Sequence, residues 1–243
     1  MWRKNKLVNE IEFVALDKYA FEVCPKPFPA SQAIPQWWKG ASPYIKSPKN
    51  LDGKKIIIEN FESNASFKKC TPMLDMLSAG YIVPLWSDVQ VRIENKLPLI
   101  NWRVQKNVFE IHEGQEVEIP DGYLKTQFKY LNQWVPKLPK GYSALIIACP
   151  GYPNNPFRAM QAIIDYDKTT HALFPPMFLK EGFEGILEKG TPMFQIIPFK
   201  RNNWESKFSF LKDGQDLINI DRDTKATLVN NYVKNFWEKK SYK

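Results

Sequence analysis

The sequence predicts a mainly β protein, a barrel or a sandwich, with a Pro/Trp-rich N-terminal arm and a C-terminal amphipathic helix. Three observations carry this. Nineteen prolines stand against eleven glycines, and a proline removes an amide donor and blocks a helix interior, so short elements with stiff connections are favoured. Between residues 81 and 200 the chain is a series of short β-branched or aromatic runs bounded by Pro, Gly, Asn or Asp, as in a strand-dense fold. From about residue 216 the apolar residues recur at helical spacing instead. Hydrophobic residues make up 44% of the 243 and aromatics 14%, enough for a packed core. One domain over 1–243 is expected: N-terminal strands and arm at 1–60, a β-rich core at 61–205 and a helical tail at 206–243.

Taken in order, "LVNEIEFVALDKYAFEVC" (7–24) reads as one or two strands. In "PKPFPASQAIPQWWKG" the prolines break regular structure, while Ile34, Trp37 and Trp38 need cover. An extended arm with a short helix at 35–39 fits, Pro35 taking the first helical position. Its tryptophan pair reads either as a plug on the core or as a ligand or partner site. "SPYIKSPKNLDGKK" reads as a loop or linker. "TPMLDMLSAGY" has a helix signature, with Thr71 as N-cap, Pro72 at the first position and Gly80 as the stop.

The strand series follows: "YIVPLWSDVQVRIE", "LINWRVQ", "VFEIHE", "LKTQFKYL", "SALIIAC", "MQAIIDYD", "HALFPPMFL" and "PMFQIIPFKR". "VRIE" and "INWRVQ" alternate cleanly, so each has one wet face. In the tail, Leu217, Ile220, Leu228, Val229, Tyr232, Val233, Phe236 and Trp237 mark the amphipathic helix. It reads as docking on its own domain or as an oligomer contact.

The formal net charge of +8 admits an acidic partner. The lysines are scattered, however, and no run is long enough for a nucleic-acid arm, which makes nucleic acid an unfavoured partner. Cys24, Cys70 and Cys149 form no CxxC pair, so neither a zinc knuckle nor a disulfide framework is indicated. The N-terminus lacks the apolar core of a signal peptide and no apolar run is long enough to span a bilayer. A soluble protein is expected. His112 and His171 are the only histidines, and neither starts a His-x-Asp/Glu pair, so no metal site is assigned. Nucleophile-elbow, phosphate-loop and dinucleotide glycine motifs are absent as well. No cofactor can be named.

"AIIDYDKTT" places Asp165 and Asp167 one residue apart after an apolar run. On a strand they would share a face, repel each other and raise one pKa toward the range of a general base. Alternatively they close a turn by bonding their own backbone.

"AIIDYDKTTHALFPPMFLKEGFEGILEKGTPMFQIIPFKR" resembles the second half of the deoxyuridine triphosphatase fold, a β-clip. The resemblance implies that Asp165 occupies the place of the water-activating aspartate, and that Gly190 and Gln195 belong to the later apolar strand. Ala79, Gly80 and Tyr81 resemble the family's opening Ala-Gly-Tyr-Asp motif. The pattern departs at Ile82, where that family has aspartate, at Cys149 and Pro150, where it has Arg-Ser, and at Lys168, where it has tyrosine. Trimers with sites between subunits would follow from this likeness.

A second likeness covers most of the chain. "PKPFPASQAIPQWWK", "KKCTPMLDMLSAGYIVPL", "PKGYSALIIACPGYPNNPF" and "GTPMFQIIPFKRNNW" resemble a family of marine bacteriophage proteins with distant bacterial relatives. It implies a phage origin, with the host cytoplasm or the virion as location, and carries no catalytic residue across.

Two functional expectations result. In one, a phage accessory protein binds a small anionic ligand such as a nucleotide in a β-clip-like fold. Asp165 and Asp167 are then the candidate catalytic pair, and Tyr81, Arg158, Gln195, Lys200 and Arg201 the candidate ligand contacts. In the other, the chain is a structural or interaction protein, such as a virion component, working through its aromatic arm and terminal helix, with homo-oligomers as partners. Whether it is an enzyme stays open.

Overall fold

The structure is a computed structural model that describes residues 9–44, 66–95, 97–112, 117–169, 172, 174–210 and 231–243. It is mainly β, with short antiparallel strands joined by proline-rich connections. The expected linker after Tyr44 and the tail residues 211–230 lie outside the described residues.

The N-terminal stretch contributes one strand, β1 (Glu12–Ala15), where one or two were expected. The rest of that stretch folds as helix α1 (Lys18–Val23). The reason is local: the Asp17 side chain accepts from the Ala20 amide at 2.8 Å, an N-cap that starts a helix just after the strand. The arm then forms β2 (Phe28–Pro29), a 3-10 turn over Ala30–Ala33 and helix α2 (Gln36–Gly40). Pro35 is the N-cap of α2, one place earlier than expected. Helix α3 (Thr71–Ser78) starts with Thr71 as its first residue and Pro72 in its first turn. Gly80 turns the chain out of α3 at φ +65, and a Cβ there would lie 1.9 Å from the Ile196 carbonyl oxygen. Only glycine allows both the left-handed turn and that backbone approach.

The core strands are β3 (Tyr81–Pro84), β4 (Val89–Glu94), β5 (Leu97–Trp102), β6 (Phe109–Ile111), β7 (Tyr123–Tyr130), β8 (Trp134–Lys137), β9 (Tyr142–Ala148), β10 (Phe157–Ala159), β11 (Ala162–Ile164), β12 (Pro176–Lys180), β13 (Gly185–Leu187) and β14 (Pro192–Lys200). One sheet has the order β11-β9-β14-β3-β2 and another β10-β12-β7-β6; β13-β4-β5 and the pair β1-β8 complete the described sheets. None closes into a barrel, so of the two expected architectures the sandwich is the one found. One buried cluster joins the two larger sheets. Phe109, Phe128, Tyr130, Phe157 and Met177 from one meet Val83, Ile146, Phe194 and Ile196 from the other. Phe109 and Phe157 stack with centroids 4.4 Å apart, an arrangement stabilised beyond simple burial. Strand β4 alternates buried and exposed as its sequence predicts.

The run "YIVPLWSDVQVRIE" is two strands, because Leu85 and Trp86 leave the ladder and are buried in the connection. Tyr130 fixes that departure: its hydroxyl donates to the Pro84 carbonyl at 2.7 Å and accepts from the Trp86 amide at 3.1 Å. "MQAIIDYD" likewise supplies only β11.

Of the tail, helix α4 (Asn231–Asn235) and the residues after it are described. They dock on their own chain. Trp237 Nε1–H donates to both Asp75 oxygens at 3.1 and 2.9 Å, Lys240 pairs with Asp75 at 2.6 Å, and Tyr81 donates to the Lys243 carbonyl at 3.2 Å.

Candidate functional site

In the five-stranded sheet, β9 lies between β11 and β14. The register pairs Ile164 with Ala144 and Lys200 with Tyr142. The last residue of β11, the first of β9 and the last of β14 therefore meet at one end of the sheet. Three residues beyond or at those ends converge there: Asp165, Asp167 and Arg201.

Asp165 starts a turn, its carbonyl accepting from the Lys168 and Thr169 amides at 2.9 and 3.1 Å. This turn brings both carboxylates onto one guanidinium. Arg201 Nη1 lies 2.8 Å from Asp167 Oδ1 and 3.1 Å from Asp165 Oδ1, while Nη2 donates to Asp167 Oδ2. Nη1 also donates to the Tyr142 carbonyl at 2.9 Å and the Ser143 hydroxyl at 3.1 Å. Ser143 Oγ donates to Asp165 at 2.6 Å, and the Gly141 amide to Asp167 at 2.8 Å. The Arg201 amide donates to the Gly141 carbonyl at 2.9 Å. The Asp167 side chain is only 2% exposed; that of Asp165 is about half exposed, at 46%.

The electrostatics follow from these partners. The Ser143 hydroxyl and then the Arg201 charge hold the Asp165 carboxyl below its ordinary value. Arg201 first, and then the Gly141 amide, hold Asp167 well below the usual carboxylate range. The two carboxylates in turn hold the Arg201 proton more tightly. Both acids stay charged at neutral pH, and neither is poised to take a proton. The guanidinium is bidentate on Asp167, and its remaining contacts are internal. The cluster does the work of a clamp on three chain segments.

The other candidate residues lie elsewhere. Gln195, 1% exposed, donates its Nε2–H to the Met76 and Ala79 carbonyls at 3.0 and 2.6 Å. It thereby caps the end of α3 from β14. Tyr81 is buried, its ring against Phe13 and Tyr242. Arg158 is the exposed middle residue of β10, in the other large sheet. Lys200 is exposed at the end of β14, beside the cluster. His112 follows β6, its amide bonded to the Gln127 carbonyl at 2.9 Å, and His171 lies outside the described residues. Among the described residues no group of three or more His, Cys, Asp or Glu is placed to hold a metal, and no helix is long and apolar enough to cross a membrane.

Two features lie apart from the acidic pair and the expected ligand contacts. The first is a groove of about 900 Å³ between the Pro/Trp arm, the loop 151–156 and the β13–β14 turn. Pro35, Trp37, Tyr152, Pro153, Pro156 and Ile186 supply much of its lining. Trp38 is buried as a plug, whereas Trp37 is 42% exposed and walls the groove. Its Nε1–H donates to the Gly151 carbonyl at 2.8 Å, and the Tyr152 hydroxyl donates to the Ala33 carbonyl at 3.0 Å. The signal was present in the tryptophan pair, of which one ring is buried and the other half-exposed. The second feature is the segment after Arg201. It has no regular structure, and Trp204, Phe208 and Phe210 are 88%, 92% and 80% exposed. The pattern Trp-x-Ser-x-Phe-x-Phe is the signal here, at the boundary between the expected β-rich core and the helical tail.

Neither a scan against protein-family models nor a search of the curated proteins returns a match to the chain.

Proposed function

We propose that the protein works by association, as a structural or interaction protein, and that the Asp165–Asp167–Arg201 cluster serves this by anchoring an aromatic segment. The observation that carries the reading is the exposure of Trp204, Phe208 and Phe210 immediately beyond a fully engaged Arg201. Large apolar side chains held in water in close succession mark interaction surfaces. The phage origin that the sequence likeness implies suits such a role, with the protein in the host cytoplasm during assembly and in the virion afterwards. The test is quantitative mass spectrometry of purified virions. A fixed copy number per particle supports the reading, and presence only in the soluble lysate counts against a virion part.

A second reading is favoured by the groove itself. Trp37 offers a face for a planar base and Lys39, on the same rim, a cation for phosphate. This fits a small anionic ligand such as a nucleotide. A ligand that binds only the native state raises the melting temperature by mass action. A saturable shift with one nucleotide, lost in Trp37→Ala, would establish this reading over association.

A further inference from the structure

We infer that residues 201–210 are an exchange arm, which seats its aromatic side chains in the groove beside Trp37 of a second copy of this chain. The inference rests on the association reading and names its partner.

The arm is built for one-sided contact. In extended chain, residues two apart face the same way. Laid out extended in a groove, Trp204, Ser206, Phe208 and Phe210 would share one face, with Glu205, Lys207 and Ser209 on the other. The root is fixed, because the Arg201 side chain and amide are both bonded to the turn before β9 and to the Asp pair. The arm projects from the sheet in a set place.

The groove suits it. Pro35, Pro153 and Pro156 make stiff walls, Trp37 is pinned by its bond to Gly151, and Ile186 is 65% exposed. Glu188 and Lys39 on the rim are opposite in charge to Lys207 and Glu205 of the arm.

The chain cannot fill its own groove with Trp204. Thr191 lines the groove, and Asn155 Nδ2–H donates to the Pro192 carbonyl at 2.7 Å, so the groove flanks the start of β14. The arm leaves from the other end, after Lys200. Those ends are about 26 Å apart at the rise of a strand. Trp204, four residues on, reaches about 14 Å from Lys200 at full extension. Phe208 and Phe210, eight and ten residues on, reach about 28 and 35 Å, so only a second copy lets all three aromatics seat together. The area is adequate too. An aromatic side chain buries roughly 150–250 Å², so two reciprocal arms with three each remove about 900–1,500 Å² on the arm side alone. With the groove surface added, this reaches the range of a stable dimer.

The test is sedimentation equilibrium of the full chain, with Trp204→Ala/Phe208→Ala as the arm variant and Ile186→Glu as the groove variant. All three positions are exposed, and thermal melts check that the fold is kept; Asn154→Arg, also on the groove, is the second groove variant. Wild type is expected to self-associate. Each variant should weaken this by roughly 30-fold or more, the loss of at least one hot-spot anchor. Mixing arm and groove variants should restore a heterodimer through the one intact arm and the one intact groove. A wild-type monomer at all concentrations, or variants that associate like wild type, overturns the inference. The virion measurement is independent: a monomer at fixed copy number in particles would retire the exchange arm and keep the association reading.

Discussion

Replacing Gln195 with leucine takes two hydrogen bonds out of the molecule while nearly conserving volume. Gln195 is 1% exposed and its amide donates to the carbonyls of Met76, in the last turn of α3, and Ala79, the residue after the helix. No water can follow the leucine methyls into that space, so at least one of the two carbonyls loses its donor. A typical net hydrogen bond contributes about 1 kcal/mol, and a buried group left unpaired costs about 1–3 kcal/mol. The expected loss is therefore about 2–4 kcal/mol, partly offset by leucine's greater apolar burial. For a chain of this length that lowers the melting temperature by roughly 5–12 °C. Denaturant unfolding should show a lower midpoint with an unchanged slope. Hydrogen exchange should speed up at the end of α3, from Leu77 to Gly80, before it does elsewhere. If Gln195→Leu melts within about 1 °C of wild type, and instead abolishes a nucleotide-dependent shift, the cap is not the residue's role and Gln195 is a ligand contact.

Other outcomes follow from the same contacts. Gly80→Ala forces a Cβ to within 1.9 Å of the Ile196 carbonyl oxygen and should cost about 3–5 kcal/mol or prevent folding, read as loss of soluble, cooperatively melting protein. Asp165 and Asp167 are held below the ordinary 3.8 when folded. Their contribution is thus fully present above the unfolded value and is lost as pH falls below it. Asp167→Asn should flatten the acid limb of the stability profile, binding about one proton fewer on unfolding, while little changes in its shape above pH 6. Asp75→Ala removes the partner of Trp237 and Lys240, and limited proteolysis should then clip the C-terminal residues faster than in wild type, with the core fragment intact.

Much of the architecture was legible because it rests on local chemistry. Proline and glycine punctuation bracketed α3, and the alternation of β4 showed which face is wet. What escaped was set by single side-chain bonds or by distant partners. Asp17 makes a helix of a stretch that reads as strand. Tyr130, far along the chain, pulls Pro84 and Trp86 out of the ladder and splits an apparently continuous strand. β8 was passed over because Pro136 sits inside it; as one of only two strands in its sheet, it can lose a ladder amide. The Asp165–Asp167 pair was visible, and both of its alternatives were sound chemistry. Their partners decide it: Ser143 and then Arg201 for Asp165, and Arg201 and then the Gly141 amide for Asp167, keep both carboxylates charged. Gln195 could not be separated from a ligand contact in sequence, since its partners are carbonyls on another element. The arm's alternating aromatics were plain in the sequence, but their exposure was not.

The most direct measurement is disulfide trapping between two singly substituted full-length chains, Trp204→Cys in one and Asn154→Cys in the other, both in a Cys70→Ser background because Cys24 and Cys149 are buried. After mild oxidation of the mixture, the account predicts a heterodimer band that forms faster than either homodimer and vanishes when Arg201→Ala frees the root of the arm. Heterodimer and homodimer bands forming at equal, slow rates, unaffected by Arg201→Ala, would contradict it.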